Sequence, residues 1–450
     1  MNPASAARSL VEAGLRTTLR GAARRRWAGV SASVFAATIH RPPGIAAASA
    51  AQRRVLVLPR AAALQDVADV ADASDQVTFV APWHGAMKAL ASAYLPPEVD
   101  SNTYHVDAGP QVAAAKDAYR AFLSDLWQAL RRKTSIDAVL SSNFSYYSER
   151  ELAAALNELG VPFIVLQKEN LKTPGRVQFF ERLYRTRRGP FVGRRMLVYN
   201  EIERDLQIAA GVVPPERIAV VGMPRMDRLH RWRMSSAAAD LRRPTVVFFD
   251  FDETNGLPAV TRKATESGFE AFDPALEGMA WRTLCGSTRA AVVRLARDHP
   301  SLRVVIKTKG RVRSDRSLAA HLGTEQLPAN LELAFGGDPL QLLTAATVVC
   351  GFNSTALLEG IAAGVPVVVP HFAEAMEIRY QPYLLDLGAA ARLAAGGDEL
   401  SDLLARTATE STAVRALSAA AVGALQHWTG NADGQAGARA AAEILAVTAG

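Results

Sequence analysis

The chain has 450 residues, of which 49% are apolar, so it suits two or three domains that each bury a core. Its two cysteines, Cys285 and Cys350, exclude a disulfide framework and a cysteine-based metal site, and they fit a reducing, cytoplasmic setting. The formal net charge of +7 would favour a nucleic-acid partner only if the basic residues covered the folded part of the chain.

The basic residues concentrate at the N-terminus. Residues 1–54 contain nine arginines against one acidic residue, Glu12, so they carry a formal +8 and leave the rest of the chain near neutral. We therefore predict no nucleic-acid partner. Apolar residues recur at helical spacing, and arginines form a second stripe beside them: Val11, Leu15 and Leu19, with Arg16, Arg20 and Arg24.

Residues 1–52 are accordingly interpreted as a basic arm, for which three alternatives stay open. The arm could be an amphipathic helix on an anionic membrane, an organellar transit peptide, or a disordered leader rich in alanine and arginine. No apolar run in the sequence reaches the roughly 18 residues that a membrane span needs. We therefore expect a cytoplasmic protein that binds the inner face of the plasma membrane peripherally, if at all.

From Arg53 onward, short β-branched runs alternate with helical stretches. The runs RRVLVLP, QVTFVAP, IDAVLSS, VPFIVLQ, RRMLVYN and RIAVVG predict the strands of a first domain over residues 53–235. A stretch of small and charged residues, Met234 to Pro244, indicates a linker. The runs TVVFFDF, LRVVIKT, LELAFG, ATVVCG and VPVVVP then predict a second domain over residues 244–400.

The remaining residues, 401–450, are rich in alanine and predict C-terminal helices. Alternation of this kind is typical of parallel sheets covered by helices on both faces. The expected fold class is therefore α/β, with two doubly wound, Rossmann-like domains that face a cleft and a helical tail.

The stretch TVVFFDFDETNG, Thr245 to Gly256, resembles the nucleophile motif of haloacid dehalogenase-like phosphatases, in which Asp250 would attack phosphorus. That family also needs a downstream lysine and a second acidic pair for Mg²⁺. Lys307 and the GGD of 336–338 offer candidates, but no carboxylate follows Asp338 in the next residues, PLQL. The sequence therefore favours another interpretation, in which this stretch is the first strand-to-helix loop of the second domain.

In that loop, Asp250 or Asp252 would orient the hydroxyl groups of a substrate. An alternative of similar weight is that Asp252 only caps the turn at Asn255 and Gly256.

Lysine is rare in this chain, with eight residues against 43 arginines, yet Lys307 and Lys309 lie together in VVIKTKG at the end of a predicted strand. A compact ammonium group serves as a point charge for phosphate. We therefore expect Lys307 to bind a phosphate or carboxylate of the substrate, with Lys309 beside it. A solvated surface position is the alternative for each lysine.

The stretch ATVVCGFNSTALLEGIAAGVPVVVP, Ala346 to Pro370, carries the most specific pattern. A buried strand ends at Gly351, and the capping residues Asn353, Ser354 and Thr355 then begin a helix. Free N–H groups and the helix dipole at such a start bind anions. Glu359, one turn further along, could accept hydrogen bonds from a ribose.

This stretch resembles the donor half of GT-B glycosyltransferases. The element VVGMPRMDRL, Val220 to Leu229, resembles that of surface-polysaccharide and CDP-glycerol glycerophosphotransferase-like enzymes. The loop VPFIVLQKENLKTPG is similar to their acceptor side. Together the resemblance covers Arg53 to Leu400. It implies transfer of a sugar or polyol phosphate from a nucleotide-activated donor to a glycan or lipid-linked acceptor at the cell surface.

An inverting transfer of this kind needs a base on the acceptor side. Glu169, just after the strand VPFIVLQ, is the first candidate, and His84 in APWHG is the rival. We expect no metal and no cofactor beyond the nucleotide-activated co-substrate, since GT-B enzymes usually stabilise the leaving phosphate with a helix dipole and cations. A phosphatase using Asp250, a sugar-nucleotide epimerase, and a non-enzymatic, degenerate transferase that binds glycans or partner proteins remain alternatives.

Overall fold

A computed structural model describes most of the chain as two units. The described residues are 3–45, 53–58, 61–101, 103–104, 109–168, 171–235, 243–258, 276–308, 327–410 and 416–449. Unit 1 comprises Met1–Asn170, Phe180–Arg225 and Gln435–Gly450, and unit 2 comprises Leu171–Phe179 and Met226–Gly434.

Through Arg225 the chain forms six strands and eight α-helices in the described residues. The strands are β1 (Arg53–Val57), β2 (Val77–Val80), β3 (Ala138–Ser141), β4 (Phe163–Leu166), β5 (Arg195–Val198) and β6 (Ile218–Val220). The α-helices are α1 (Pro3–Arg24), α2 (Ala28–Ala37), α3 (Ala61–Asp72), α4 (Ala86–Tyr94), α5 (Pro110–Arg131), α6 (Tyr147–Glu158), α7 (Pro174–Leu183) and α8 (Glu201–Ala209). A π-helical turn, Tyr184–Arg188, and a 3₁₀ turn, Pro215–Arg217, connect some of them.

The described residues after Arg225 supply the second set of elements. The strands are β7 (Thr245–Phe249), β8 (Arg303–Thr308), β9 (Leu331–Phe335), β10 (Val348–Gly351), β11 (Val367–Pro370) and β12 (Arg392–Ala394). The α-helices are α9 (Asp227–Met234), α10 (Arg282–Asp298), α11 (Leu340–Ala345), α12 (Thr355–Ala362), α13 (Gly397–Glu410), α14 (Ala419–Thr429) and α15 (Ala436–Ala449). The 3₁₀ turns are Pro224–Met226, Ala373–Met376, Ile378–Tyr383 and Gly388–Ala390.

Both sheets are parallel and doubly wound. In unit 1 the strand order is β2-β1-β3-β4-β5-β6, and in unit 2 it is β12-β11-β10-β7-β8-β9. The chain therefore reverses its direction of winding between β1 and β3 in the first sheet, and between β7 and β10 in the second. These are the points at which ligands bind in open α/β sheets, outside the carboxyl ends of the strands. The expected α/β class, with two Rossmann-like domains and C-terminal helices, is confirmed.

The strands form where the sequence has continuous β-branched runs, because helices cover both faces of a parallel sheet. All five residues of β7 are buried, and so are all four of β10 and of β11. Strand β12, which has no such run, was not predicted from the sequence. It is an edge strand of three residues, two of them exposed.

The N-terminal segment is helical and packs within unit 1. Helix α1 packs on α4 and α2 packs on α5. Leu19 and Ala23 of α1 are buried, and Tyr94 of α4 donates a hydrogen bond of 2.8 Å to the carbonyl oxygen of Ala23. Val11, at the other end of the apolar stripe, is 63% exposed. Only the second half of that stripe therefore contributes to a core.

The boundaries of the two units differ from those expected from the sequence. Apart from its C-terminal segment, unit 1 extends only to Arg225, ahead of the expected limit at 235, because α9 packs on α12 and Arg233 donates a 2.9 Å hydrogen bond to the carbonyl oxygen of Ala362. The last helix, α15, belongs to unit 1, where Glu443 pairs with Arg195 at 2.8 Å. Residues 236–242 of the expected linker lie outside the described residues.

Candidate functional site

The ends of β7, β8 and β10 define the candidate site of unit 2. Gly351, the last residue of β10, lies opposite Phe249, the last residue of β7. A Cβ atom at Gly351 would stand 3.2 Å from Leu357 and 3.3 Å from the carbonyl oxygen of Phe249. The two strand ends therefore approach closely at the switch point. Glycine is favoured at position 351 because a side chain there would crowd Leu357 and the end of β7.

The predicted helix start lies immediately after β10. Ser354 is the N-cap of α12, and its Oγ accepts a hydrogen bond of 3.3 Å from the backbone N–H of Ala356. Thr355 is the first helical residue. Ser354 and Thr355 are both half-buried, and both lie at the end of α12 where the helix dipole is positive.

Asn353 has a structural role that the sequence did not indicate. Its backbone is left-handed, with φ of 46°, and its side chain is bonded at both ends. Nδ2 donates to the carbonyl oxygen of Tyr383 at 3.0 Å, and Oδ1 accepts from the N–H of Leu385 at 2.8 Å. Asn353 thus ties the loop before α12 to residues 383–385, and its amide is used within unit 2.

Glu359 lies on α12 as expected, but it is only 7% exposed. A carboxylate at that depth is largely removed from water, which costs free energy unless other groups compensate it.

Lys307 lies in β8, opposite Phe249 of β7. It is half-buried, and its Nζ donates a hydrogen bond of 2.9 Å to the carbonyl oxygen of Thr308. Burial lowers the pKa of this lysine below its ordinary value of 10.5. Two other candidates, Lys309 and Glu169, lie outside the described residues.

Asp250 is held in a buried ion pair with Arg289 of α10. Arg289 Nε donates to Oδ1 at 2.8 Å and its Nη2 donates to Oδ2 at 3.0 Å. The two side chains are 1% and 5% exposed. Arg289 also bonds the carbonyl oxygen of Phe251 at 3.0 Å. Both carboxylate oxygens of Asp250 are therefore occupied, and this geometry disfavours the role of phosphatase nucleophile.

Asp252 is exposed and closes a local turn. Its Oδ1 accepts hydrogen bonds from the backbone N–H and the hydroxyl of Thr254, at 2.9 and 2.7 Å. The turn continues to Asn255, whose Nδ2 donates to the carbonyl oxygen of Phe352 at 2.6 Å. This is the capping alternative of the sequence analysis.

Trp281 supports the same region and was not identified from the sequence. The side chain is fully buried, and its Nε1 donates a hydrogen bond of 2.8 Å to the carbonyl oxygen of Asn255. Its ring lies 4.8 Å from that of Phe352 and 4.7 Å from that of Tyr380, between centroids. The indole of Trp281 therefore connects the loop after β7, which contains Asn255, with the loop after β10, which contains Phe352. Isolated aromatic residues in a sequence give no signal of such a cluster.

In unit 1, His84 follows β2 and is exposed. It lines a small cavity together with Trp83, Lys88 and Glu149, among others. Neither Lys88 nor Glu149 was identified from the sequence. Glu149 lies on α6, eight residues after the end of β3, in the stretch SSNFSYYSER, so no strand-end pattern in the sequence singles it out.

The described residues contain neither a cluster of metal ligands nor a helix able to span a membrane. Within the ranges that the structure covers, no group of histidine, cysteine, aspartate or glutamate side chains has the arrangement to hold a metal ion. Among the helices in those ranges, none combines the length and hydropathy that would let it cross a bilayer.

The fold consists of two Rossmann-like domains with six-stranded parallel sheets, and several solved structures resemble the chain over most of its length. A Listeria monocytogenes protein assigned as a UDP-N-acetylglucosamine 2-epimerase is 13% identical, with a TM-score of 0.49, and the match covers 88% of this chain and 96% of that one. The Neisseria meningitidis UDP-GlcNAc 2-epimerase bound to UDP-GlcNAc is 11% identical, with a TM-score of 0.45 and coverage of 88% and 100%.

A UDP-forming α,α-trehalose-phosphate synthase from Burkholderia xenovorans is 12% identical, with a TM-score of 0.44 and coverage of 88% and 99%. At these identities and scores the likeness concerns the arrangement of elements and assigns no reaction. No protein-family model matches the chain, and no curated protein sequence matches it.

Proposed function

We propose that the protein is a transferase that moves a sugar, or a related polyol phosphate, from a nucleotide-activated donor to a glycan or lipid-linked acceptor. Unit 2 binds the donor and unit 1 binds the acceptor. The observation that carries the proposal is the convergence of Lys307, the β7–β10 switch point and the Ser354-capped start of α12 at one edge of one sheet.

That edge has the chemistry of a diphosphate site. The N–H groups at the start of α12 and the ammonium group of Lys307 both favour negative charge, and a phosphate bound there would raise the pKa of the lysine again. Ser354 and Thr355 add hydroxyl groups. Glu359, one turn further along, would accept hydrogen bonds from the ribose. Because Glu359 is buried, the ribose must enter far enough to contact its carboxylate.

Catalysis in this proposal uses a base from unit 1. Glu169 is the first candidate and His84 is the second, since either group can accept a proton from an attacking hydroxyl. Replacing Glu169 by glutamine removes the proton acceptor while keeping the size, so turnover should fall by about 10² to 10⁴. If Glu169→Gln keeps its turnover and His84→Ala loses it, the role passes to His84.

An anionic membrane surface is a further proposed partner, through α1. Its arginine stripe, Arg16, Arg20 and Arg24, is exposed, and cationic side chains of this kind attract anionic lipids. Replacing Arg20 and Arg24 by glutamine should weaken binding to vesicles that contain phosphatidylserine and leave binding to neutral vesicles unchanged. Equal binding of both proteins to anionic vesicles would contradict this part of the proposal.

Calorimetric titration with a panel of nucleoside diphosphates tests the donor site. Ser354→Ala should weaken binding by about 0.5 to 1.5 kcal/mol, because the backbone N–H groups remain. Ser418→Ala is a matched control, since Ser418 caps α14 in the same way, with its side chain accepting from the N–H of Ala421 at 3.2 Å. It should not change nucleotide binding.

Glu359→Ala should weaken binding by about 1.5 to 3 kcal/mol, and this loss should shrink for a 2′,3′-dideoxy nucleotide. The absence of nucleotide binding to the wild type at millimolar concentration would reject the donor site. Nuclear magnetic resonance of the sugar product then separates transfer from epimerisation at the sugar ring, which is the main alternative reaction for a nucleotide-sugar enzyme.

A further inference from the structure

A small cavity lies at the carboxyl edge of the unit 1 sheet, at its own switch point. Leu58 follows β1, Trp83 and His84 follow β2, and Glu149 lies on the helix that follows β3; all four line the cavity, together with Lys88 of α4. The strand order places β1 between β2 and β3. The connections that follow three neighbouring strands therefore line one cavity at the position where open α/β sheets bind ligands.

Glu149 is the most constrained polar group of this cavity. It is 3% exposed, and its Oε2 accepts a hydrogen bond of 2.5 Å from the hydroxyl of Ser141, the last residue of β3. The hydrogen bond fixes the orientation of the carboxylate from the sheet side. A carboxylate accepts hydrogen bonds from hydroxyl groups, whereas the ammonium group of Lys88 donates them.

The N-terminal segment holds the loop that carries Trp83 and His84. His40 and Ala81 exchange two backbone hydrogen bonds, at 2.9 and 2.8 Å. The N–H of Trp83 donates to Oγ1 of Thr38 at 3.3 Å. The guanidinium group of Arg16 lies 5.9 Å from the centroid of the indole, which is within range of a cation–π interaction.

Gly85 fixes the other side of the indole. A Cβ atom at this position would stand 2.3 Å from Cζ2 of Trp83, so the ring lies directly against the glycine backbone. The indole is therefore clamped between its own loop and α1, and the wall of the cavity depends on residues that precede the first strand.

We propose that this cavity is a subsite for the hydroxyl-bearing edge of a sugar or polyol acceptor, and that α1 and α2 are part of it. Glu149 accepts a hydrogen bond from an acceptor hydroxyl, Lys88 donates one, and Trp83 provides the wall. The choice of ligand class rests on the proposed function. The positioning role of the N-terminal segment does not, since it follows from contacts within unit 1.

Hydrogen–deuterium exchange of the full chain tests the positioning role without any ligand. Arg16→Gln should accelerate exchange in peptides that cover Ala81 to Ala86, because the indole loses its partner on α1. Arg20→Gln is the matched control on the same exposed face of α1, and it should leave these peptides unchanged. Equal exchange in the wild type and Arg16→Gln would overturn the positioning role.

Saturation-transfer nuclear magnetic resonance tests the subsite, with the methyl glycosides of glucose, galactose and N-acetylglucosamine, and glycerol, as probes. At least one probe should bind the wild type, and Glu149→Gln should weaken it about tenfold through loss of a charge-assisted hydrogen bond. Glu158→Gln, on the same helix with a 58% exposed side chain, is the control and should bind as the wild type does.

The outcome can be separated from that of the donor site. A wild type that binds a nucleoside diphosphate but none of the sugar and polyol probes would overturn the subsite and leave the donor proposal standing. Binding of a probe that is equal in Glu149→Gln and the wild type would also overturn the subsite. Binding of a probe without any nucleotide binding would support the subsite and reject the donor proposal.

Discussion

Replacing Asp250 by asparagine tests whether this residue is a structural anchor or a phosphatase nucleophile. The substitution keeps one carbonyl oxygen for Arg289 Nε but places an amide N–H₂ group against Arg289 Nη2, where the present distance of 3.0 Å belongs to a hydrogen bond. Both side chains are at most 5% exposed, so water cannot replace the lost acceptor. Removing one partner of a buried pair costs about 3 to 5 kcal/mol, and since asparagine keeps part of the bonding we expect about 3 kcal/mol.

Urea unfolding followed by tryptophan fluorescence measures this loss. Asp252→Asn is the matched control in the same loop, and because Asp252 is exposed and asparagine keeps the Oδ1 acceptor, it should change the free energy of unfolding by less than about 0.5 kcal/mol. The double variant Asp250→Asn with Arg289→Gln should lose less than the sum of the two single variants, because the two residues contact each other directly.

Two results would refute the reasoning. The first is a loss below about 1 kcal/mol for Asp250→Asn, which would mean that the pair does not anchor the loop. The second is a hydroxylamine-labile phosphoryl group on Asp250 after the wild type is incubated with a phosphoester and Mg²⁺. We expect no such adduct, because Arg289 occupies both oxygens of the carboxylate.

Three further predictions concern unit 2. Gly256→Ala should lower the free energy of unfolding by about 2 to 3 kcal/mol, because Gly256 has φ of 79° and its Cβ would stand 2.6 Å from Asn353 Nδ2. Gly278→Ala, with φ of 70° and nothing within 4 Å, should cost only about 1 kcal/mol in the same urea experiment. Burial raises the pKa of Glu374, but the N–H groups of Thr283 and Leu284 at the start of α10 outweigh it, so the pKa falls below the ordinary 4.5. Glu374→Gln should therefore be destabilised by about 1 kcal/mol at neutral pH, and the difference from the wild type should vanish as the pH falls well below 4.5; a constant difference would contradict the assignment. Lys307, whose pKa is lowered by burial, loses its charge at a pH below 10.5, so nucleoside diphosphate binding should weaken as the pH rises toward that value. Lys307→Ala should bind the nucleoside diphosphate more weakly than the wild type at neutral pH, and its binding should not weaken further as the pH rises. Calorimetric titration measures both effects. Wild-type binding that stays constant as the pH rises would reject a contact between Lys307 and phosphate.

Local sequence signals determined the fold class and the helix start of the candidate site. The strands were predictable because a strand buried on both faces needs a continuous apolar run, and TVVFFDF and ATVVCG are such runs. Ser354 was predictable as an N-cap because its partner, the N–H of Ala356, is two residues away. The rarity of lysine likewise directed attention to Lys307 without any knowledge of its neighbours.

The N-terminal segment illustrates a signal that was present but ambiguous. Its charge and helical periodicity left an amphipathic helix, a transit peptide and a disordered leader open, and the described part of the segment does form helices. The same pattern describes a helix on a membrane and a helix on a protein. Only the tertiary structure places Leu19 and Ala23 in a core and Arg16 over Trp83.

The tertiary structure alone decided which side chains meet. Asp250 and Arg289 are 39 residues apart, and Asn353 bonds Leu385 from 32 residues away. Hydrogen bonds to such distant partners leave no periodicity in a sequence, because they depend on where the crossover connections bring each loop. An aspartate that ends a strand is equally compatible with a nucleophile and with a buried ion pair. The difference is one arginine on a neighbouring helix, whose position is fixed by the packing of α10 against the sheet rather than by any local preference.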